Sequence, residues 1–248
     1  DVYKRQHVRE AAVPDELINI AAENADVAVI TLSRFSAEGV DRKPIDSDYY
    51  LSFEEKSLID RASKAFKKTI VVLNSGAVVD CEHFADNDKV QGILFGWQGG
   101  LEGGAAVADI LCGDVCPSGK LADTIPVSYY SYQNAEEFLT GFEHLDYYDD
   151  IYVGYRYFET VPGAAERVRY PFGFGLSYTD FELGGVLCGE TDGKIVVSVN
   201  VKNIGSVPGK ETVQLYYSAP QGVLGKPAKE LAAFAKTHLL NPGESETL

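Results

Sequence analysis

Between residues 33 and 42 the chain reads Ser33-Arg-Phe-Ser-Ala-Glu-Gly-Val-Asp-Arg42, and this stretch holds the residues best placed for chemistry. Glu38, Asp41 and Arg42 lie together with Gly39 just after a short apolar run, Asp26-Val-Ala-Val-Ile-Thr-Leu32. A glutamate held on such a loop can serve as a general acid if burial raises its pKa, because desolvation disfavours the carboxylate. The plainer reading is a solvated acidic loop with a local Asp41–Arg42 ion pair, worth about 0–1 kcal/mol.

Two further segments invite functional readings. Trp97-Gln-Gly-Gly-Leu-Glu-Gly-Gly104 is a Gly-rich turn running into Ala105–Leu111, and such a turn can offer backbone N–H groups to an anion. It lacks the Gly-Lys-Ser/Thr ending of a P-loop and the G-x-G-x-x-G spacing of a dinucleotide site. Glu102 suits the first turn of the helix better than a catalytic role. Asp150-Ile-Tyr-Val-Gly-Tyr-Arg-Tyr-Phe-Glu159 and Tyr170-Pro-Phe-Gly-Phe-Gly-Leu-Ser-Tyr178 are dense in aromatics, which either line a sugar site or pack between domains. The histidines, at 7, 83, 144 and 238, accompany no nucleophile motif such as G-x-S-x-G, so a Ser/His hydrolase has no support.

The elements that must position these residues change character along the chain. Residues 26–32 and 69–74 read as buried parallel strands, and 91–97 as a third. Between the first two, Leu58, Ile59, Ala62 and Phe66 recur at helical spacing, with Ser52 and Glu55 forming a capping-box pattern ahead of them. A second helix is expected over about 103–111. This is the grammar of an open α/β sheet, where ligands bind beyond the carboxyl ends of the strands. After about residue 178, Ile195, Val197, Val199 and Val201 alternate with polar neighbours, and Thr212–Tyr217 alternates again. That period of two points to an antiparallel β-sandwich, truncated at about 70 residues where roughly 100 are usual. The expected division is 1–10 as a non-native or linker segment, 11–178 as the α/β sandwich domain and 179–248 as a partial β-sandwich. Asp1–Gln6 lacks the apolar stretch of a secretory signal, and the native N-terminus is expected to lie elsewhere.

Composition bounds the rest. With 248 residues, 45% hydrophobic and 11% aromatic, the chain can build packed cores. A net charge of −15 argues against sequence-independent nucleic-acid binding, which needs cations to displace counterions. No run of about 18 apolar residues is present, so no membrane-spanning helix is expected. Four cysteines make no disulfide scaffold, and Cys112 and Cys116 lack a second pair at zinc-like spacing. Unpaired thiols lean toward a reducing, cytoplasmic compartment.

Several motifs in one order resemble the C-terminal half of a β-glucosidase of glycoside hydrolase family three. They are Ser36-Ala-Glu-Gly-Val-Asp-Arg42, Ile70-Val-Val-Leu-Asn-Ser-Gly76, Gly99–Gly113, Pro117-Ser-Gly-Lys-Leu121, Tyr152-Val-Gly-Tyr-Arg-Tyr-Phe158 and Tyr170–Tyr178. Residues 195–248 are similar to the fibronectin-III-like domain that follows in many members. The resemblance implies a retaining mechanism, in which an Asp on a (β/α)-barrel attacks the anomeric carbon of a β-linked glycoside. A Glu from the sandwich domain protonates the leaving oxygen, and the motif places that role on Glu38. Arg34 and Phe35 would then border the leaving-group side of the pocket. No metal or organic cofactor is implied. No barrel is present: the roughly 250 residues it needs are not there. The expected partner is therefore that barrel in the same polypeptide, on a flank the sequence does not assign. The fragment alone is expected to be inactive. The competing readings are a non-catalytic carbohydrate-binding or scaffold module and, less well matched, a nucleotide-binding α/β domain.

Overall fold

A computed structural model describes residues 13–39, 41–138, 144 and 146–248. The described residues up to Ala106, with Val127–Tyr129, form one compact unit; Val107–Pro126 and the residues from Tyr130 to Leu248 form the other.

In the first unit, β1 (Val27–Ser33), β2 (Lys68–Asn74) and β3 (Val90–Phe95) make a parallel sheet in the order β1-β2-β3. Central β2 is apolar on both faces and buries Val71, Val72 and Leu73, as a strand covered on two sides must. Edge strand β1 buries Ile30 and Leu32 but leaves Val27 and Val29 exposed. Helix α1 (Asp15–Asn24) precedes the sheet, and α2 (Phe53–Ala65) crosses from β1 to β2. The expected capping box starts α2. Ser52 Oγ accepts from the Glu55 N–H at 3.1 Å, and Glu55 Oε2 accepts from the Ser52 N–H at 2.8 Å. The helix then buries Ile59 and Ala62. A short α3 (Glu82–Ala85) seats Phe84 in the core before β3. The register aligns Ser33 with Asn74 and Leu73 with Phe95, so the three strands end at one edge.

Helix α4 (Gly103–Cys112) follows β3 and spans the boundary between the units. The second unit contains a short antiparallel pair, β4 (Ile125–Pro126) with β5 (Val168–Tyr170), and helix α5 (Tyr155–Thr160). Its all-β part has β6 (Phe181–Thr191), β7 (Lys194–Asn203) and β10 (Ser245–Thr247) in one antiparallel sheet, ordered β10-β7-β6. The strands β8 (Thr212–Tyr217) and β9 (Glu230–Lys236) form another. The alternation read in 195–201 becomes burial only at the C-terminal end of β7. Val199 and Val201 pack with Leu240 and against Phe181, Val213 and Leu248, while Ile195 is 77% exposed. The aromatic segments pack on one another within this unit: the Tyr155 and Phe172 rings stack with centroids 4.6 Å apart, and Tyr216 meets Tyr155 edge-on.

Candidate functional site

The carboxyl edge of the parallel sheet is where the three strand ends turn into loops. Beyond β1 the chain runs from Arg34 through the turn at Glu38-Gly39. Gly39 has φ +75°, a left-handed backbone that a side chain disfavours, which explains a glycine directly after the glutamate. Glu38 is exposed, and its carboxylate makes no hydrogen bond or ion pair with any described residue. Phe35 is 69% exposed on the same loop.

The loops after β2 and β3 brace this segment. Ser36 Oγ accepts the Gly76 N–H at 3.1 Å, and the Ser36 carbonyl accepts from Gln98 Nε2 at a long 3.5 Å. A Cβ at Gly76 would lie 2.8 Å from Gln98 Cδ and 3.0 Å from Ser36 Cβ, so a side chain there would displace the Gln98 amide that reaches across to Ser36. Trp97, just past β3, holds φ +49°, a strained conformation for a residue with a side chain.

Arg34 does different work from Phe35. Its guanidinium is buried and makes a two-pronged pair with Glu55, Nη1 to Oε1 at 2.6 Å and Nη2 to Oε2 at 2.8 Å. The remaining N–H groups reach the carbonyls of Ser33 (3.0 Å), Asp48 (2.8 Å) and Tyr50 (3.4 Å). All five donors are thus spent inside the unit, and the side chain anchors the start of the loop. The expected local Asp41–Arg42 ion pair is absent. Arg42 instead pairs with Asp48, Nη1 to Oδ1 at 2.8 Å, and donates through Nη2 to the Phe35 carbonyl. The reason is reach: adjacent residues on an extended loop diverge, whereas Asp48 stands across the loop's base. Asp48 had no motif to mark it, and only its contacts identify it.

The remaining sequence candidates lie elsewhere. Glu102 is exposed before α4 and its side chain bonds to no described residue. Cys116 sits beside Ser177 Oγ at 3.0 Å and accepts from the Tyr178 N–H at 3.3 Å. Among the described residues no group of three or more His, Cys, Asp or Glu is placed to hold a metal ion, and no helix is long and apolar enough to cross a membrane. Asp1–Gln6 lie outside the described residues.

Comparison with known proteins bears on what this edge serves. The glycosyl hydrolase family 3 C-terminal domain matches residues 6–178, and the fibronectin type III-like domain matches residues 211–248. Beta-glucosidase A of Butyrivibrio fibrisolvens is 46% identical over 96% of this chain, and a beta-glucosidase of Ruminococcus albus is 40% identical over 96%. The chain spans only 33% and 25% of those two relatives. Among solved structures, beta-glucosidase 3B from Thermotoga neapolitana in complex with glucose superposes with a TM-score of 0.88 at 43% identity, over 97% of this chain and 34% of that one. A beta-glucosidase from Paenibacillus barengoltzii gives a TM-score of 0.88 at 42% identity, over 95% of this chain and 26% of its own. The α/β architecture, the all-β strands that follow it and these matches together show that the chain belongs to glycosyl hydrolase family 3.

Proposed function

We propose that this chain is the acid/base-bearing portion of a retaining β-glucosidase, with Glu38 as the proton donor and the nucleophile on a barrel domain outside these 248 residues. The observation that carries the reading is the contrast in the loop itself. Arg34 and Arg42 at its base are paired with Glu55 and Asp48, while Glu38 at its tip is exposed and unpaired among the described residues. A carboxyl offered from a braced loop suits delivery to a bond held by another domain. The relatives' names and the glucose complex of the Thermotoga neapolitana enzyme support a β-glucoside as substrate.

In the first step a barrel carboxylate attacks the anomeric carbon as Glu38 gives its proton to the departing oxygen. The alcohol leaves and a glycosyl-enzyme remains. In the second step Glu38, now a carboxylate, takes a proton from water, which attacks the anomeric carbon and releases the sugar with retained configuration. Both steps require the two carboxyl groups about 5–5.5 Å apart. Exo-α-(1→6)-L-arabinopyranosidases of Bifidobacterium are also 36% identical to the chain, so the relatives act on more than one glycoside.

The test uses the complete polypeptide. Glu38→Ala should lower kcat/KM on an alkyl glucoside, a poor leaving group, by about 10²–10⁴-fold, the usual contribution of general acid catalysis. An activated aryl glucoside, which needs little protonation, should lose far less, and azide should restore its turnover as a glycosyl azide. Equal loss on both substrates would overturn the acid role.

A further inference from the structure

The base of the Glu38 loop is tied to one residue. Asp48 Oδ1 pairs with Arg42 Nη1 at 2.8 Å, Asp48 Oδ2 accepts the Lys43 N–H at 3.0 Å, and the Asp48 carbonyl accepts from Arg34 Nε at 2.8 Å. Arg34 opens the loop and Arg42 and Lys43 close it, so both ends converge on Asp48. Arg42 completes the ring by donating to the Phe35 carbonyl. The Arg42 side chain is only 10% exposed, whereas the tip it encloses is open to solvent. Charge-assisted bonds in so sheltered a setting hold geometry more firmly than the same bonds in water.

We infer that Asp48 is a positioning residue for the general acid: its carboxylate clasps Arg42 and the Lys43 N–H, beside the main-chain carbonyl that receives Arg34, and so fixes the closing end of the loop whose tip presents Glu38. The inference rests on the proposed role of Glu38. Asp48 acts through Arg42 and Lys43, the residues its carboxylate holds. Its contribution is to hold the end of the loop near its working position, and misplacement of a catalytic group by about 1 Å costs on the order of 10²-fold in rate.

Two measurements decide it. The first needs only this chain. Trypsin can cut after Arg42 only when that side chain leaves Asp48, so Asp48→Ala should raise cleavage at the Arg42–Lys43 bond at least tenfold relative to sites elsewhere. Unchanged cleavage overturns the clasp. The second uses the complete polypeptide, with Glu38→Ala alongside. Asp48→Ala should lower kcat/KM on the alkyl glucoside by about 10- to 100-fold while the activated aryl glucoside falls less than threefold, with Asp48→Glu recovering part of the loss. A structural defect alone would depress both substrates equally, and that outcome overturns the inference. Should Asp48→Ala fail to fold, Arg42→Gln, which breaks the same pair from the loop side, is judged by the same criteria. If Glu38→Ala shows the leaving-group split and the Asp48 variants do not, positioning by Asp48 is refuted and the acid role stands. If Glu38→Ala lacks the split, the acid role falls, and the catalytic meaning of the clasp falls with it.

Discussion

At the scale of single residues, Arg34 and Glu55 show how much the start of the loop depends on charges paired inside the unit. Both side chains are 5% exposed, and each is satisfied: Glu55 binds the guanidinium and the Ser52 N–H, and Arg34 spends its other donors on three carbonyls. A buried pair of this kind adds little over apolar residues of the same shape, but removing one partner strands the other charge at a cost of about 3–5 kcal/mol. Glu55→Ala should therefore lower the free energy of unfolding by about that amount, with the lost cap of α2 adding to it. Arg34→Ala in the same background should cost much less than it does alone, because the charge it removes is already unpaired. Chemical denaturation of the two single variants and the double variant measures this, and strict additivity would contradict it.

At the scale of elements, the turn before β10 carries a pH-sensitive clasp. His238 Nδ1 lies 2.8 Å from Glu246 Oε2, and its Nε2 lies 3.2 Å from Glu244 Oε1. The hydrogen bond to Glu244 chiefly raises the imidazole above its ordinary 6.5, with Glu246 adding to it. Glu244 is held below 4.5, first by the Asn241 backbone N–H and then by His238. The raised imidazole stabilises the fold fully below pH 6.5 and loses that effect as pH rises through its folded value. The lowered carboxylate stabilises above pH 4.5 and loses its effect as pH falls through its own folded value. The clasp is thus complete between 4.5 and 6.5. His238→Ala should flatten the pH dependence of the denaturation midpoint at the alkaline end of this window. A variant whose profile stays parallel to the wild type there would refute the clasp. The neighbouring Asn203 is wholly buried and fully bonded, accepting from Thr179 Oγ1 and the Gly205 N–H and donating to the Val207 and Leu240 carbonyls. It ties the end of β7 to two loops by a route no alternation pattern could announce.

At the scale of the molecule, the proposed division of labour separates the proton donor from the nucleophile. This chain by itself should therefore turn over no aryl β-glucoside above the background of Glu38→Ala, however well it folds. The complete polypeptide should release sugar with retained anomeric configuration, which nuclear magnetic resonance of the first-formed product would report. Turnover by the 248-residue chain that Glu38→Ala abolished would place the whole reaction here and overturn the division.

The elements followed from local physics that acts within a few residues. β-branched runs read at 26–32 and 69–74 fall on the strands Val27–Ser33 and Lys68–Asn74, the Ser52–Glu55 box started a helix and the alternation up to Val201 gave a half-buried strand. Short-range steric and capping preferences are written residue by residue, so these were legible, as was the loop carrying Glu38, since its motif is contiguous. Tertiary structure alone decided which charges would meet. Arg34 turned inward to Glu55, 21 residues away, and Arg42 passed over adjacent Asp41 for Asp48. Such pairings depend on where the crossover from β1 to β2 folds back against the sheet edge. Coulomb attraction depends on distance in space, and sequence spacing does not determine that distance.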